Sequence, residues 1–426
     1  MKKFFLIFLA FSFLFAYDTL WFRVYDAGWD EYGARVGIDP FGDIIVAGST
    51  GNEEAILLIK YSPSGETIWS RIIDDEDELS LTGLAVDKEG NIILVGSYYR
   101  EPEEVGAYIV KSDNGGNILW VKKFTINNWA GLCGVVCDDS NNIIVSGFYD
   151  EEGDNIILIK YSPNGDSVWV KRYNLGEELE SICGLMQDKE GNIIGTGAIG
   201  SLFPSIYDLL TVKFDKNGDI IWISRIDFDE NDWGTDVTID SANNIYVCGF
   251  TGDFDLIHSF VVKYNKYGDT LWARFYENYY SLGAAISIDK LGNVPVTGYI
   301  KDTCAITLLI KYSPLGDTIF SQLFNFSPNR GMWAEDMVLV NDSNYIYIAG
   351  TFDNGRNGDI YLMKLFYQPA IKEKVSYKIL STANNKAKEF YDITGKRIKN
   401  LERMKEGIYF FKDYQDKYYK KKIILK

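Results

Sequence analysis

The chain carries one histidine and five cysteines, and these small numbers limit the chemistry that it could perform. A Ser–His–Asp or Cys–His device would have to use His258, which stands alone in a variable stretch. No P-loop, G-x-G-x-x-G or H-E-x-x-H motif occurs. We therefore predict no catalytic residue and no enzymatic activity. A pair of carboxylates that cleaves a glycosidic bond needs no histidine and stays open as an alternative.

The cysteines show no C-x-x-C spacing, and zinc would lack partner histidines. Cys183 stands at the repeat position equivalent to Cys133, so a disulfide between neighbouring repeats is one hypothesis. The preferred interpretation is that the cysteines are small buried hydrophobic residues.

Aromatic residues recur among carboxylates in the longer connections between predicted strands. The acidic stretches include "DDEDE" from Asp74 and "DFDENDW" from Asp227. Rings among carboxylates could stack on sugars and bind their hydroxyl groups, or clamp a cationic peptide. The alternative is that the acids are solvated and the rings plug the centre of the fold. The candidate ligand-binding residues are Trp29, Trp129, Trp233, Tyr280, Trp333 and Asp232.

These connections belong to a repeat of 48 to 53 residues. The stretch "LLIKYSPSGETIWSR" from Leu57 returns as "ILIKYSPNGDSVWVK" from Ile157 and "LLIKYSPLGDTIFSQ" from Leu308. A second element, "DKEGNIILVG" from Asp87, also has seven versions. A period near 50 is typical of a propeller or a solenoid. The repeated aromatic positions are Trp21, Trp69, Trp120, Trp169, Trp222, Trp272 and Phe320.

Each repeat holds four short β-prone runs, which we name strands a to d in chain order. The predicted mature chain begins with a lone d strand, "TLWFRVYD", and its last repeat supplies only a, b and c. A ring in which the first strand completes the last blade repairs this and removes exposed sheet edges. The sequence thus predicts an all-β, seven-bladed β-propeller over residues 17–366.

Six of the seven turns between strands a and b open with an aspartate and close with Gly or Asn, and the seventh opens with Asn341. One carboxylate per turn, without D-x-D-x-D spacing, predicts turn capping rather than a calcium series. Calcium therefore stays possible but has no supporting motif, and we expect no cofactor. The aspartates are Asp39, Asp87, Asp138, Asp188, Asp240 and Asp289.

The two ends differ from the repeats. Residues 1–16 combine Lys2 and Lys3 with an apolar run and small residues, which predicts a signal peptide rather than a membrane anchor. Residues 371–426 hold 16 Lys and Arg against 7 Asp and Glu, which gives this tail a net charge of +9. Because the whole chain carries −17, residues 1–370 carry −26. An acidic body should repel nucleic acid. Strand-like runs in the tail predict a small C-terminal β-sandwich.

The repeats resemble the SBBP-type β-propeller repeats of bacterial secreted and surface proteins, over roughly residues 18–366. The resemblance implies a fold and a location and carries no shared catalytic residues. The tail, with "EFYDITGKRIKNL" and "KEGIYFFKDYQDKYYKKKIILK", resembles a type A sorting domain of the type IX secretion system. That resemblance implies export by the secretion machinery. The matching residues are Tyr391, Asp392, Gly395, Lys396, Gly407, Ile408, Tyr409, Phe410, Lys421, Lys422 and Ile423.

Together these features predict a secreted or surface-attached monomer with no transmembrane segment in the mature chain. Its function would be to bind a protein or glycan through the acidic, aromatic-bearing loop face. Two alternatives stay open. One is a polysaccharide-cleaving enzyme on the same scaffold, and the other is a structural component of a surface layer.

Overall fold

A computed structural model describes the repeats almost completely and the tail in part. The N-terminal residues 1–16, where we predict a signal peptide, lie outside the described residues. The described ranges are 17–51, 55–101, 104–126, 130–150, 154–201, 206–228, 230–253, 256–276, 280–301, 303–327, 329–340, 344–367, 387–392, 397–398, 407–413 and 418–424.

Within residues 17–367 the described strands form seven four-stranded antiparallel blades, numbered in chain order. Blade 1 comprises β2 (Glu31–Ile38), β3 (Ile44–Thr50), β4 (Ile56–Tyr61) and β5 (Thr67–Ile73). Blade 2 comprises β6 (Glu78–Val86), β7 (Ile92–Arg100), β8 (Glu104–Ser112) and β9 (Ile118–Phe124). Blade 3 comprises β10 (Ala130–Cys137), β11 (Ile143–Asp150), β12 (Asp154–Tyr161) and β13 (Ser167–Tyr173). Blade 4 comprises β14 (Leu179–Gln187), β15 (Ile193–Ser201), β16 (Ile206–Phe214) and β17 (Ile220–Ile226).

The remaining three blades repeat the same order of strands. Blade 5 comprises β18 (Asp232–Ile239), β19 (Ile245–Asp253), β20 (Leu256–Tyr264) and β21 (Thr270–Tyr276). Blade 6 comprises β22 (Tyr280–Ile286), β23 (Val294–Lys301), β24 (Ala305–Tyr312) and β25 (Thr318–Phe324). Blade 7 comprises β26 (Met332–Val340), β27 (Tyr345–Asp353), β28 (Gly358–Tyr367) and β1 (Tyr17–Tyr25).

The first strand closes the ring, as the sequence predicts. β1 pairs antiparallel with β28, from Tyr17 opposite Tyr367 to Tyr25 opposite Ile360. Blade 7 thereby gains its outer strand from the opposite end of the propeller sequence. The prediction of an all-β, seven-bladed propeller is confirmed for the described residues, which contain no helix and therefore none that could cross a membrane.

The hydrophobic core lies between neighbouring blades. The two middle strands of a blade are buried on both faces, as in β3 and β4, where every residue is buried. One cluster joins Ile45 and Leu58 of blade 1 to Leu79 and Leu94 of blade 2. Strands of this kind need cover on both sides, and packing one twisted sheet on the next supplies it.

The repeated tryptophan packs between neighbouring blades. The Trp21 ring lies against Gly65 in the c–d turn of blade 1, where an added Cβ would stand 2.9 Å from the ring. Gly65 also has φ = +81°, so glycine is required both by the turn and by the ring. The same contact joins Trp69 to Gly116 and Trp272 to Gly316. The motif therefore encodes one blade and its contact with the next.

Each a–b aspartate caps its turn, as predicted, and most have a second function. Oδ1 of Asp188 accepts the amides of Glu190 and Asn192, both at 2.9 Å. Oδ2 of Asp188 pairs with Nζ of Lys213 in strand c at 2.8 Å, and both side chains are buried. This turn-to-strand ion pair recurs in five blades, as Asp39–Lys60, Asp87–Lys111, Asp138–Lys160, Asp188–Lys213 and Asp289–Lys311.

The described part of the tail belongs to a second compact unit, separate from residues 16–367. It forms one four-stranded sheet in the order β30-β29-β31-β32. The sequence predicts a sandwich, and the described residues of the tail form a single sheet, so the sandwich stays a prediction. The strands are β29 (Ala387–Asp392), β30 (Arg397–Ile398), β31 (Gly407–Asp413) and β32 (Tyr418–Ile424).

Candidate functional site

The a strands of all seven blades surround one central cavity of about 580 Å³, which we call the channel. Each a strand carries a bulge, for example between Leu81 and Gly83 in blade 2. A bulge bends the strand and turns extra backbone toward the axis. The bulge positions line the channel with residues Thr82, Cys133, Cys183, Thr235, Ala284 and Glu335.

Polar groups of the a strands tie neighbouring blades together around the channel. Thr82 Oγ1 donates to Leu132 O at 2.6 Å, and Thr235 Oγ1 donates to Gly283 O at 2.7 Å. Asp336 Oδ2 accepts the amide of Val36 at 2.8 Å, which links blade 7 to blade 1. These bonds satisfy backbone groups that the bulges release from the ladder, so the channel wall is held in a fixed geometry.

One repeat position just after the bulge decides the charge of the channel. It is glycine in blades 2, 3 and 4, where an added Cβ would collide with neighbouring atoms at 2.9 Å or less. In blades 1, 5 and 7 the same position holds Arg35, Asp236 and Asp336. Glu335 adds a third carboxyl group beside them. The channel therefore holds three carboxyl groups and one guanidinium, all contributed by three of the seven blades.

Hydrogen bonds fix these side chains. Arg35 Nε donates to Thr82 O at 2.7 Å, and Nη1 donates to Ala34 O at 3.2 Å. Asp236 accepts the amides of Val237 at 2.8 Å and Ile286 at 2.9 Å. Because blade 5 holds the amide of blade 6 in this way, Asp236 has a structural function besides its place in the channel.

Burial raises the pKa of all three channel carboxyl groups. Removal from water and repulsion by Asp336 bring the pKa of Asp236 to about 7, although two amide hydrogen bonds oppose the shift. The pKa values of Asp336 and Glu335 are also raised by burial, and Arg35 partly offsets both shifts. The channel therefore changes its charge near neutral pH.

We expect the folded protein to gain stability as the pH falls from about 8 to about 5. The pKa of Asp236 is raised from 3.8 to about 7, so the folded state binds its proton more tightly than the unfolded state. The stability gained by protonation is complete below about pH 4 and is lost as pH rises through 7, an effect of roughly 2–4 kcal/mol. Thermal unfolding in EDTA across this pH range measures it. Asp236→Asn should make the profile less steep by the share of this one group, and a melting temperature that decreases as the pH is lowered from 8 to 5 would contradict the shift.

Two thiols meet in the channel wall. Cys133 and Cys183 come from the equivalent bulge positions of blades 3 and 4, and all five cysteines are free. A hydrogen bond from Cys133 to the sulfur of Cys183, together with burial, holds the pKa of Cys133 well above its usual value. The disulfide considered from sequence would join these neighbouring atoms, and it stays a hypothesis.

Two aromatic side chains complete the lining. Trp233 belongs to blade 5 and packs edge-on against Tyr207, with ring centroids 6.1 Å apart. Tyr299 belongs to β23 of blade 6, and its pKa is raised by burial and by neighbouring Tyr280 and Glu335. A phenol with a raised pKa remains protonated at neutral pH and serves as a hydrogen-bond donor rather than as a base.

The other predicted aromatics lie apart from the channel lining. Trp29 is half-buried and borders two open cavities of about 350 and 740 Å³ near the junction of blades 7 and 1. Tyr280 is half-buried under the ammonium of Lys301, which stands 5.8 Å from the ring centroid. Trp333 is also half-buried and packs over Gly331. Trp129 lies outside the described residues.

The predicted carboxylate Asp232 is fully buried rather than part of an exposed loop. Burial is the main cause that raises its pKa to about 6, and Asp208 and Asp227 add repulsion. Carboxylate oxygens of these three residues lie within 4.8 Å of one another. Asp232 thus belongs to a second kind of site, at a junction between blades.

The charged channel residues are not among the predicted site residues, although the sequence contains a signal for them. Aligning the a strands sets "TGL", "CGV" and "CGL" beside "ARV", "TDV" and "EDM". A charged residue where three sister repeats hold glycine marks Arg35, Asp236 and Asp336 as exceptions. These residues lie inside β-strands, whereas the predicted site residues lie in or near loops.

Comparisons with solved structures agree with the fold. The chain is similar to a protein of unknown function from Dyadobacter fermentans, with a TM-score of 0.53 and 11% identity over 83% of this chain and 99% of that one. It is similar to a PL25 ulvan lyase bound to -[GlcA(1-4)Rha3S]-, with a TM-score of 0.56 and 12% identity over 80% and 95%. Hydrazine synthase of Kuenenia stuttgartiensis gives a TM-score of 0.55 and 9% identity over 80% and 97%.

Sequence comparison adds a repeat relationship. An uncharacterized WD repeat-containing protein of Acanthamoeba polyphaga mimivirus is 28% identical over 112 residues, which is 22% of this chain and 8% of that protein. No family model matches the chain. These similarities support the propeller fold and its repeats. The similar solved structures include proteins of different functions, so the fold alone does not indicate a function.

Proposed function

We propose that this chain is a non-enzymatic binding module that takes a neutral glycan at the channel. One observation carries the proposal. All seven blades line a single cavity of about 580 Å³ whose lining includes Trp233, Tyr299, Arg35 and the channel carboxyl residues. Cavities of this size suit small ligands, an indole stacks on the apolar face of a sugar, and charged groups hydrogen-bond to its hydroxyls.

The charge of the channel favours an uncharged ligand over an acidic one. Asp236, Asp336 and Glu335 face one guanidinium, so an anionic group would meet a surplus of carboxyl groups above neutral pH. A cationic peptide is the second ligand class that this lining would accept. The surplus also argues against nucleic acid as a partner.

Binding is tested by replacing the ring that lines the channel. We expect Trp233→Ala to weaken glycan binding by at least about tenfold, because the stacking surface is lost. Trp333→Ala is the matched control, since Trp333 occupies the same repeat position in blade 7 but is not part of the lining. A glycan array followed by calorimetry on its hits measures both variants. Equal affinities for the two variants would remove the channel from consideration.

A polysaccharide lyase is the alternative function, and the fold similarity to the PL25 ulvan lyase favours it. Elimination at a uronate needs a cation on the substrate carboxylate and a base, and Arg35 and Tyr299 share the cavity. The raised pKa of Tyr299 and the three carboxyl groups oppose this chemistry. A polysaccharide panel assayed for unsaturated products decides between the functions, because any turnover that Tyr299→Phe abolishes would refute the non-enzymatic proposal.

Secretion, with surface attachment through residues 371–426, is part of the proposal. It is supported by the composition of residues 1–16 and by the resemblance of the tail to a sorting domain. The channel would then be exposed to ligands outside the cell, where a glycan-binding module would act.

A further inference from the structure

Three carboxylates converge at the junction where the ring closes. Asp26 follows β1, Glu31 begins β2, and Asp359 is the second residue of β28. Their carboxylate oxygens lie within 4.8 Å of one another. Glu31 is 0% exposed and Asp359 is 3% exposed, whereas Asp26 is exposed at the surface. We call this set the closure site.

One carboxylate oxygen of the closure site is buried and has no hydrogen-bond partner. Glu31 Oε1 accepts the amide of Trp29 at 3.3 Å, but Oε2 has no hydrogen-bond partner. A buried carboxylate oxygen without a partner costs free energy unless a ligand compensates it. Asp26 uses Oδ1 for the amide of Gly28 at 2.7 Å, and Asp359 receives both its bonds from the side-chain amide of Asn354.

No cation of the described structure neutralises these three carboxylates. None of them forms an ion pair within 4.0 Å with a described basic side chain, and Arg330 acts on Asp359 only from a longer distance. Two buried acids and a third beside them therefore repel one another. Such an arrangement is favourable when a bound cation supplies the missing charge.

A second junction holds the same three positions and has a cation beside them, although Asp232 Oδ1 there also has no hydrogen-bond partner. Asp227, Asp232 and Asp208 occupy them between blades 4 and 5. There Arg225 forms an ion pair with Asp208 and a 2.7 Å ion pair with Glu177. In the repeat, Arg225 lies opposite Leu210, as Val24 lies opposite Tyr361. Val24 therefore stands at the closure site where the guanidinium stands at the other junction.

We propose that the closure site binds one calcium ion through Asp26, Glu31 and Asp359. Carboxylate oxygens without histidine or cysteine suit a hard cation. Calcium accepts a cage of several protein oxygens, whereas magnesium keeps most of its water. The ion would join the end of β1, the start of β2 and strand β28, and so hold the N-terminal strand in the ring. This inference is independent of the glycan-binding proposal.

Calorimetric titration of calcium chloride into the EDTA-treated, desalted full chain tests the site. We expect one ion per chain and a melting temperature about 5 °C higher in saturating calcium. Glu31→Gln keeps the shape of the side chain and should abolish both effects. The absence of heat and of a thermal shift up to about 5 mM calcium, the weak end for extracellular sites, would overturn the proposal. An equal shift with magnesium chloride would overturn the assignment to calcium.

The matched control exchanges Val24 and Arg225, which occupy the equivalent position at the two junctions. Val24 is 40% exposed, so Val24→Arg should fold, place a guanidinium on Asp359 and weaken calcium binding by at least about tenfold without removing a carboxylate. Arg225→Val should create a second calcium site at the junction of blades 4 and 5. Unchanged affinity in the Val24→Arg variant, or retained binding in Glu31→Gln, would place the ion elsewhere and refute the closure site.

Discussion

A chain that lacks residues 17–25 is expected not to form a stable propeller. These residues are β1, the outer strand of blade 7, and Tyr17 is 2% exposed within the core of that blade. Phe22 packs against Tyr361 with ring centroids 5.6 Å apart. Loss of these aromatic contacts alone removes about 5 kcal/mol, which approaches the whole stability of an ordinary domain. Circular dichroism, thermal unfolding and solubility would show the loss.

Deletion of residues 17–25 removes contacts with blade 1 as well as with blade 7. Arg23 Nε donates to Gly65 O at 2.9 Å, and the Trp21 ring covers the same turn of blade 1. Without β1, strand β28 would also present an unpaired edge that invites aggregation.

A circular permutant distinguishes the loss of the β1 contacts from the effect of shortening the N-terminus. Residues 17–25 are moved behind Tyr367 and joined by the turn "SPNG", which connects strands c and d in blade 3. We expect this permutant to fold with nearly the stability of a chain that begins at residue 17. If the permutant stayed unfolded, or if the deletion melted like the parent, the first strand would not be what closes the ring.

The sequence allowed the ring to be predicted because each repeat encodes a complete local unit and its neighbour. The c–d turn with Pro and Gly, the aspartate of the a–b turn and the tryptophan recur at fixed spacing. The d strand that precedes the first repeat could then only complete the last blade, which closes the ring. Local turn chemistry and a count of strands were sufficient for this part of the structure.

The positions of the candidate binding residues could be predicted only in part. Trp233 lines the channel, whereas Trp29 and Trp333 do not. The five aromatics have similar but not identical positions, since Trp29 lies four residues before Gly33 and Trp233 lies one residue before Gly234. Because side chains alternate along a strand and loops add further freedom, the shift of three residues sends the ring of Trp29 in a different direction. Trp333 has the same repeat position as Trp233, so local sequence does not explain why it is not part of the lining.

The partners of the a–b aspartates were also missed. The repeated lysine of "LIKYS" looks like a surface residue in the sequence, yet Lys60, Lys111 and Lys213 are buried and paired with those aspartates. The two residues stand more than 20 positions apart, so no local rule connects them. An apolar run that keeps one lysine in every copy was the available signal, because an unpaired lysine would not be buried.

Breaking one of these pairs is expected to be among the most damaging single substitutions. Asp188→Ala leaves the ammonium of Lys213 buried at 5% exposure and without its partner, which costs about 3–5 kcal/mol. Burial acts to raise the pKa of Asp188, but Lys213 and Asn192 hold it below its ordinary value. The stability from this group is therefore present above about pH 4 and lost as pH falls through the lowered pKa.

Blade 5 contains the matched control. Asp240 caps its turn with bonds to Ala242 and Asn244 at 2.8 and 2.9 Å, but Lys263 there donates to Pro314 O at 3.0 Å. Asp240→Ala thus removes a cap without breaking an ion pair and should cost only about 1–2 kcal/mol. The double variant Asp188→Ala with Lys213→Met should recover most of the difference, because no charge stays buried. Urea unfolding at pH 7 compares the three, and equal losses for Asp188→Ala and Asp240→Ala would mean that the buried lysine contributes nothing beyond the turn.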